Sequence, residues 1–133
     1  MFMGAQMNAY LMSKDARRQA NFYVEALGGE IQLLTTYGET PGTPEEMKDK
    51  VMHMTLTLAG TNTFMLADSF EEATYNRGIC IALNYEDESE ARMAYEKLSE
   101  GGESKYPFSL QPWGAYYGEV VDQFGVNWMI TKS

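Results

Sequence analysis

Hydrophobic and polar positions along this chain change period in the same order twice. Met7 to Met12 alternates, with Met7, Ala9 and Leu11 on one side and Asn8, Tyr10 and Met12 on the other, the period-two pattern of a strand. Ala16, Ala20, Tyr23, Val24 and Leu27 then form one helical stripe, which Asp15 or Ser13 is placed to cap. Gly28-Gly29 predicts the end of that helix, and Glu30 to Tyr37 a second strand. His53 to Asp68 predicts a hairpin turning at Ala59-Gly60-Thr61-Asn62, with Asp68 ending its strand at the surface. In its first strand Met52, Met54, Leu56 and Leu58 oppose His53, Thr55 and Thr57.

The second half repeats this order. Gly78 to Asn84 predicts a strand, with Ile79, Ile81 and Leu83 opposing Cys80, Ala82 and Asn84. Asp87 or Ser89 opens a helix whose stripe is Ala91, Ala94, Tyr95 and Leu98, and Gly101-Gly102 ends it. Ser104 to Trp113 is extended but carries Pro107 and Pro112, which predicts an irregular edge. Ala115 to Thr131 closes the chain as a hairpin around Asp122-Gln123-Phe124-Gly125. Phe64-Met65-Leu66 and Trp128-Met129-Ile130 end the two halves alike. Gly29 and Gly102 are 73 positions apart, Gly60 and Gly125 only 65. The difference of 8 requires a longer connection before the first hairpin. Gly38 to Lys50 supplies it, a surface loop in which Thr43-Pro44-Glu45-Glu46 has the form of a capping box over one helical turn. The expected fold is α+β: two β-α-β-β-β modules, about 5–70 and 76–132 of a single domain 1–133, forming a curved mixed sheet.

Composition narrows the partners. With 44% hydrophobic residues, the 133-residue chain has what one folded domain needs. Nineteen acidic against ten basic residues give a net charge of −9, which repels phosphate backbones and argues against nucleic acid and anionic membrane. A lone cysteine, Cys80, rules out an intrachain disulfide and suits a reducing compartment. MFMGAQMNAY has neither the basic nor the apolar region of a signal peptide, and no apolar run nears the ~18 residues of a membrane span. The expected location is cytoplasmic.

Several chemistries are missing. No strand is followed by GxGxxG or a P-loop, there is no GxSxG elbow, and no glycine-rich loop suits S-adenosylmethionine. No cofactor is therefore expected. Two side chains are candidate bases. His53, the only histidine, carries the imidazole that suits a base or hydrogen-bonding role in a pocket, although a lone histidine is more often structural. Glu119 lies close in sequence to Trp113, Tyr116 and Tyr117, where a carboxylate could meet a cation, although a solvated strand residue needs no function. The acidic run from Glu86 to Glu90 sits at a helix start, where negative charge is simply favourable.

Lys14-Asp15, Asn21-Phe22-Tyr23, Leu27-Gly28-Gly29-Glu30, His53, Ala59-Gly60, Met65, Asp68 and the ending from Asp122 to Ile130 together resemble the vicinal oxygen chelate superfamily. Glyoxalase I, extradiol dioxygenases and bleomycin-resistance proteins belong to it, and the order of motifs is most similar to its PhnB-like branch. The resemblance implies a site on a concave sheet face, a divalent metal held by His or Glu, and pairing into a homodimer. Carried over by position, the metal ligands fall on Asn8, seven residues before Asp15, then on Met65, on Ile79 or Cys80, and on Met129. None is His or Glu, and an amide with thioethers does not hold Mg²⁺, Ni²⁺ or Zn²⁺. A soft Cu(I) site from Met65, Cys80 and Met129 competes with the plainer reading that these side chains fill an apolar cavity, and the plainer reading is preferred.

Two expectations of different class follow. The first is a metal-free protein that binds a small amphipathic molecule through Asn8, Met65, Cys80, Trp113, Tyr116 and Met129, with Trp128 on the opposite face under a helix. The second is a lyase, isomerase or dioxygenase-type enzyme with His53 or Glu119 as base.

Overall fold

The structure, a computed structural model, describes residues 4–133; the first three residues of the MFMGAQMNAY stretch lie outside them. The elements run β1 (Ala9–Ser13), α1 (Ala16–Leu27), β2 (Gly29–Thr36), β3 (Val51–Leu58), β4 (Asn62–Asp68), β5 (Ile81–Tyr85), α2 (Glu88–Ser99), β6 (Glu103–Leu110), β7 (Tyr116–Val121) and β8 (Asn127–Lys132). They divide into two compact units, one ending at Ala73 and one beginning at Thr74. Each unit is β-α-β-β-β and carries its own four-stranded mixed sheet, ordered β1-β4-β3-β2 in the first and β5-β8-β7-β6 in the second. The first strand of each unit lies parallel to the last, and the other pairings are antiparallel.

In both units the helix covers one face of the sheet, because only that face carries the apolar alternation. Ala16, Ala20 and Tyr23 of α1 are fully buried together with Met54, Leu56 and Leu66. The Tyr23 and Phe64 rings meet edge to face at 5.4 Å. Ala91, Ala94, Tyr95 and Leu98 of α2 are buried with Val120, Trp128 and Ile130. Trp128 thus takes the helix-covered face, as its alternation with Met129 requires. Asp15 caps α1 by accepting from the Arg18 N–H at 3.2 Å, and Asp87 caps α2 by accepting from the Glu90 N–H at 2.9 Å.

The glycines ending the helices have two separate tasks. Gly28 takes φ 76°, where a side chain is strained but nothing crowds it. Gly29 lies against β3, and a Cβ there would fall 1.8 Å from the Thr57 carbonyl oxygen. Gly102 repeats this in the second unit, at 2.3 Å from the Val121 carbonyl oxygen.

Several local expectations are corrected. β1 begins at Ala9, so Asn8 precedes it, and β5 begins at Ile81, so Ile79 and Cys80 lie in an exposed lead-in. Thr43 does not cap the turn Glu45–Met47: its hydroxyl donates to the carbonyls of Tyr37 and Thr40 instead. The carboxylate-to-backbone half of a capping box occurs earlier, where Glu39 accepts from the Thr36 N–H at 2.9 Å. Asp68 is not at the surface but buried, and both its oxygens accept backbone hydrogen bonds, from Ala16 at 2.8 Å and Val51 at 2.7 Å.

The connection between β2 and β3 spans 37–50, whereas β6 and β7 are joined by the shorter 111–115, so the first half is the longer one before its hairpin, as expected. The longer one is pinched at its base, with Tyr37 N–H donating to Lys50 O and Gly38 N–H to Lys48 O, both at 3.0 Å. β6 is an edge strand with two register shifts around Pro107, which has no N–H to give the ladder. Among the described residues no helix is long and apolar enough to cross a membrane.

Candidate functional site

The face of each sheet that no helix of its own unit covers is where polar side chains collect, and pairing register fixes what stands beside what. Partners directly opposite on neighbouring strands point to the same side. In the first unit one row crosses all four strands: Leu33 on β2, Thr55 on β3, Met65 on β4 and Tyr10 on β1. In the second unit the corresponding row is Tyr106, Glu119, Met129 and Ala82. The methionines expected at ligand positions thus hold equivalent places, and each stands beside a polar residue of the third strand in its unit.

His53 lies two residues before Thr55, opposite Thr35. Its Nε2 is 3.0 Å from Thr55 Oγ1, and its Nδ1 is 3.2 Å from the hydroxyl of Tyr10, which reaches across β4. The Tyr10 and His53 rings are 5.5 Å apart at 38°. Around this chain of three polar groups the surface is apolar and open: Leu33, Met12 and Tyr10 are each about half exposed.

Tyr117 and Glu119 occupy the places of His53 and Thr55 in the second unit. The Tyr117 hydroxyl donates a short hydrogen bond to Glu119 Oε2, and Lys105 Nζ lies 3.8 Å from Oε1. Tyr117 is pushed up to about 12, first because its proton is shared with Glu119, then by desolvation and by the charge of that carboxylate. Cys80 is mostly exposed, yet partial burial of the thiol pushes its pKa up, and the Glu119 charge adds to this while Lys105 opposes it. That environment makes a poor nucleophile at neutral pH.

Tyr116 does not join this face. Its ring stacks on buried Phe108 at 5.6 Å, and its hydroxyl bonds Glu88 on α2, so it belongs to the helix side of the sheet. The alternation that puts Glu119 on the open face sends Tyr116 to the other, and Tyr117 takes its place. Trp113 is strongly exposed, 71%, in the connection between β6 and β7. Sequence reasoning missed Tyr10 and Tyr117 as site residues; both are visible in the alternation once the register is known.

The hard and borderline divalent ions of the superfamily do not fit these residues. Among the described residues no three of His, Cys, Asp and Glu cluster so as to hold one. Asn8 and Cys80 flank their strands and Met65 and Met129 face the open sides, a donor set too soft or too weak for the ions of the superfamily. S-adenosylmethionine does not fit either. The glycine pairs close helices instead of following strands, and α1 and α2 begin on the carboxylates of Asp15 and Asp87.

A groove of about 270 Å³ lies elsewhere, at the C-terminal ends of β1 and β4, between Lys14, Arg17 and Lys50 on one hand and Asp15, Glu46, Asp49 and Asp68 on the other. Its groups of both signs are interspersed, Arg17 donates to the Asp49 carbonyl at 3.0 Å, and Asp68 is already bonded to backbone. The open sheet faces are the better site.

Comparison with known proteins agrees with this architecture. Residues 6–131 match the family described as 3-demethylubiquinone-9 3-methyltransferase. Protein YjdN of Escherichia coli (strain K12) is 24% identical over 122 residues, 82% of each chain. Among solved structures, protein PA1353 from Pseudomonas aeruginosa superposes with a TM-score of 0.84 at 29% identity, covering 98% of both chains. The PhnB protein from Bacillus cereus gives 0.79 at 28% identity, covering 97% of this chain and all of its own. A glyoxylase/bleomycin resistance protein/dioxygenase domain from Frankia sp. EAN1pec shares the fold, with a TM-score of 0.72 at 13% identity over 99% of both.

Proposed function

Because this chain belongs to the PhnB-like 3-demethylubiquinone-9 3-methyltransferase family, within the glyoxalase/bleomycin resistance/dioxygenase superfamily, we propose that it binds a small amphipathic molecule without a metal. One observation carries the reading. The row Leu33, Thr55, Met65, Tyr10 is an apolar strip with a single hydrogen-bonded polar chain along it, and the inherited ligand positions hold Asn8, Met65, Ile79 or Cys80, and Met129. Apolar walls with a few directional groups are what small-molecule sites consist of, and thioethers adapt to irregular ligands.

Native mass spectrometry of freshly purified protein, followed by titration of the released compound into methyl-labelled protein, tests this. The expected result is a bound organic molecule that shifts the Met65 methyl signal, with far less than one Ni, Zn, Fe or Mn per chain after dialysis. A stoichiometric metal, or a ligand whose binding survives Met65→Glu unchanged, overturns it.

The same reading places the protein in the cytoplasm as a homodimer. Exposed Ile79, Leu110, Tyr106 and Trp113 offer apolar surface to a second copy. A monomer mass by light scattering at tens of micromolar counts against that part alone. Enzymatic use of His53 or Glu119 as base is the second reading. It draws on His53 bridging two hydroxyls, whereas Glu119 is already engaged by Tyr117 and Lys105. Metal-independent turnover of the co-purified compound, abolished by His53→Gln, decides for it.

A further inference from the structure

Resting on that reading of the first unit's open face, we infer that the Tyr10–His53–Thr55 chain selects a neutral ligand carrying one hydrogen-bond acceptor and one donor, such as a hydroxy-ketone or an amide, over a dicarbonyl or a carboxylate.

The argument is a proton count. His53 has a hydroxyl against each ring nitrogen, 3.2 Å to Tyr10 and 3.0 Å to Thr55. A neutral imidazole has one N–H and one lone pair. For both contacts to be hydrogen bonds, one hydroxyl receives the N–H and the other gives its proton to the bare nitrogen. The receiving hydroxyl keeps its own proton, free to point outward. The giving hydroxyl has only lone pairs left to offer. Three protons are present, two are used inside the chain, and one is available to a ligand.

Either end can be the donating one. With the proton on Nδ1, Tyr10 donates outward and Thr55 accepts; with it on Nε2 the ends exchange roles. A ligand acceptor at one end therefore fixes the tautomer and turns the other end into an acceptor. The two ends are never donors together while the ring is neutral. A ligand with two acceptors leaves one of them facing a lone pair. An unpaired polar group on a covered surface is costly, and sites of this kind discriminate strongly against analogues that cannot complete the pairing.

Nothing else competes for the two hydroxyls. Among the described residues neither hydroxyl has another side-chain partner, and no carboxylate pairs with His53. Leu33 and Met65, beside Thr55, are apolar neighbours against which the carbon skeleton of a ligand can lie.

The single histidine makes the experiment direct. In protein labelled with ¹⁵N-histidine, on the alkaline side of the histidine titration range, the imidazole signals report tautomer without assignment. Three shape-matched probes are titrated: 4-hydroxycyclohexanone, 1,4-cyclohexanedione and cyclohexane-1,4-dicarboxylate. The expected result is a neutral ring whose tautomer ratio moves on adding the hydroxy-ketone. The hydroxy-ketone should bind roughly tenfold more tightly than the dione, with the dicarboxylate weaker still. Tyr10→Phe and Thr55→Val should each remove one end of the chain and abolish that preference while the fold is kept. An imidazolium spectrum, or equal affinities with an unmoved tautomer ratio, overturns the inference. If the dione nevertheless shifts the Met65 methyl, the small-molecule reading survives that failure. Silence at both His53 and Met65 with every probe overturns the two together.

Discussion

The carboxylate of Asp68, last residue of β4, accepts the backbone N–H of Ala16, first residue of α1, at 2.8 Å from 52 positions along the chain. Its other oxygen accepts from Val51 at the start of β3, at 2.7 Å. One side chain thus joins helix start, strand start and strand end in the first unit. The N–H of Ala16 is one that the helix itself cannot satisfy, and negative charge is favoured there.

Asp68→Ala should therefore cost about 3 kcal/mol, since two buried backbone donors lose a charged partner. Asp68→Asn keeps one acceptor and should cost about half as much. Urea unfolding measures both; a loss below about 0.5 kcal/mol for the alanine variant is at odds with the geometry.

Gly28 and Gly29 are adjacent, and alanine should act differently at each. At Gly28 the cost is that of φ 76° with ψ 146°, a backbone region nearly confined to glycine, with free space around it, about 2 kcal/mol. At Gly29 the new Cβ would meet the Thr57 carbonyl at 1.8 Å, so β2 and β3 must separate. Gly29→Ala should lose several times more stability, or fail to accumulate as folded protein, while Gly28→Ala stays folded. Equal effects in thermal unfolding contradict the close approach.

The Tyr117 phenol should ionise near pH 12 in the folded protein. A difference titration of tyrosinate absorbance, parent against Tyr117→Phe, isolates it from the other tyrosines. Glu119→Gln should bring it back toward the ordinary value of about 10. The linkage has a definite sign. A folded-state value above the unfolded one contributes stability that is fully present below about pH 10 and is lost as pH rises through about 12. A phenol that titrates at the same pH in parent and Glu119→Gln refutes the pairing.

Cys80 should alkylate more slowly at neutral pH than an unstructured cysteine, because burial and the Glu119 charge both disfavour the thiolate. The two neighbours have opposite signs: Glu119→Gln should quicken iodoacetamide labelling and Lys105→Ala should slow it. A common direction for both variants rules out the electrostatic account.

The architecture was legible because both halves repeat the same signals. Asp15, Asp87, the glycine pairs and the two apolar stripes each predict one element boundary or face, and their recurrence confirms the order. The stripe on α1 still omitted Gln19, which is buried because Ser13 donates to it at 2.5 Å and it donates to Tyr23 at 2.9 Å. Side-chain hydrogen bonds that bury a polar residue are invisible to periodicity. Asp68 failed for the same reason, since an acidic residue at a strand end looks solvated until the helix start beside it is known. Tyr116 was misread by one residue of alternation, and in a strand one residue is a whole change of face. His53 could be singled out by composition, but Tyr10 lies 43 positions away and only the sheet order brings the two together.

The excursion between β2 and β3 is closed at its base by the Tyr37–Lys50 and Gly38–Lys48 backbone bonds, so the sheet senses its neck and not its tip. Near the tip Gly42 has empty space around it. Lengthening an exposed loop adds only slowly to its closure entropy. A peptide epitope or reporter spliced after Pro41 should therefore leave unfolding nearly unchanged, which makes this loop the handle by which the protein can be tethered or tracked.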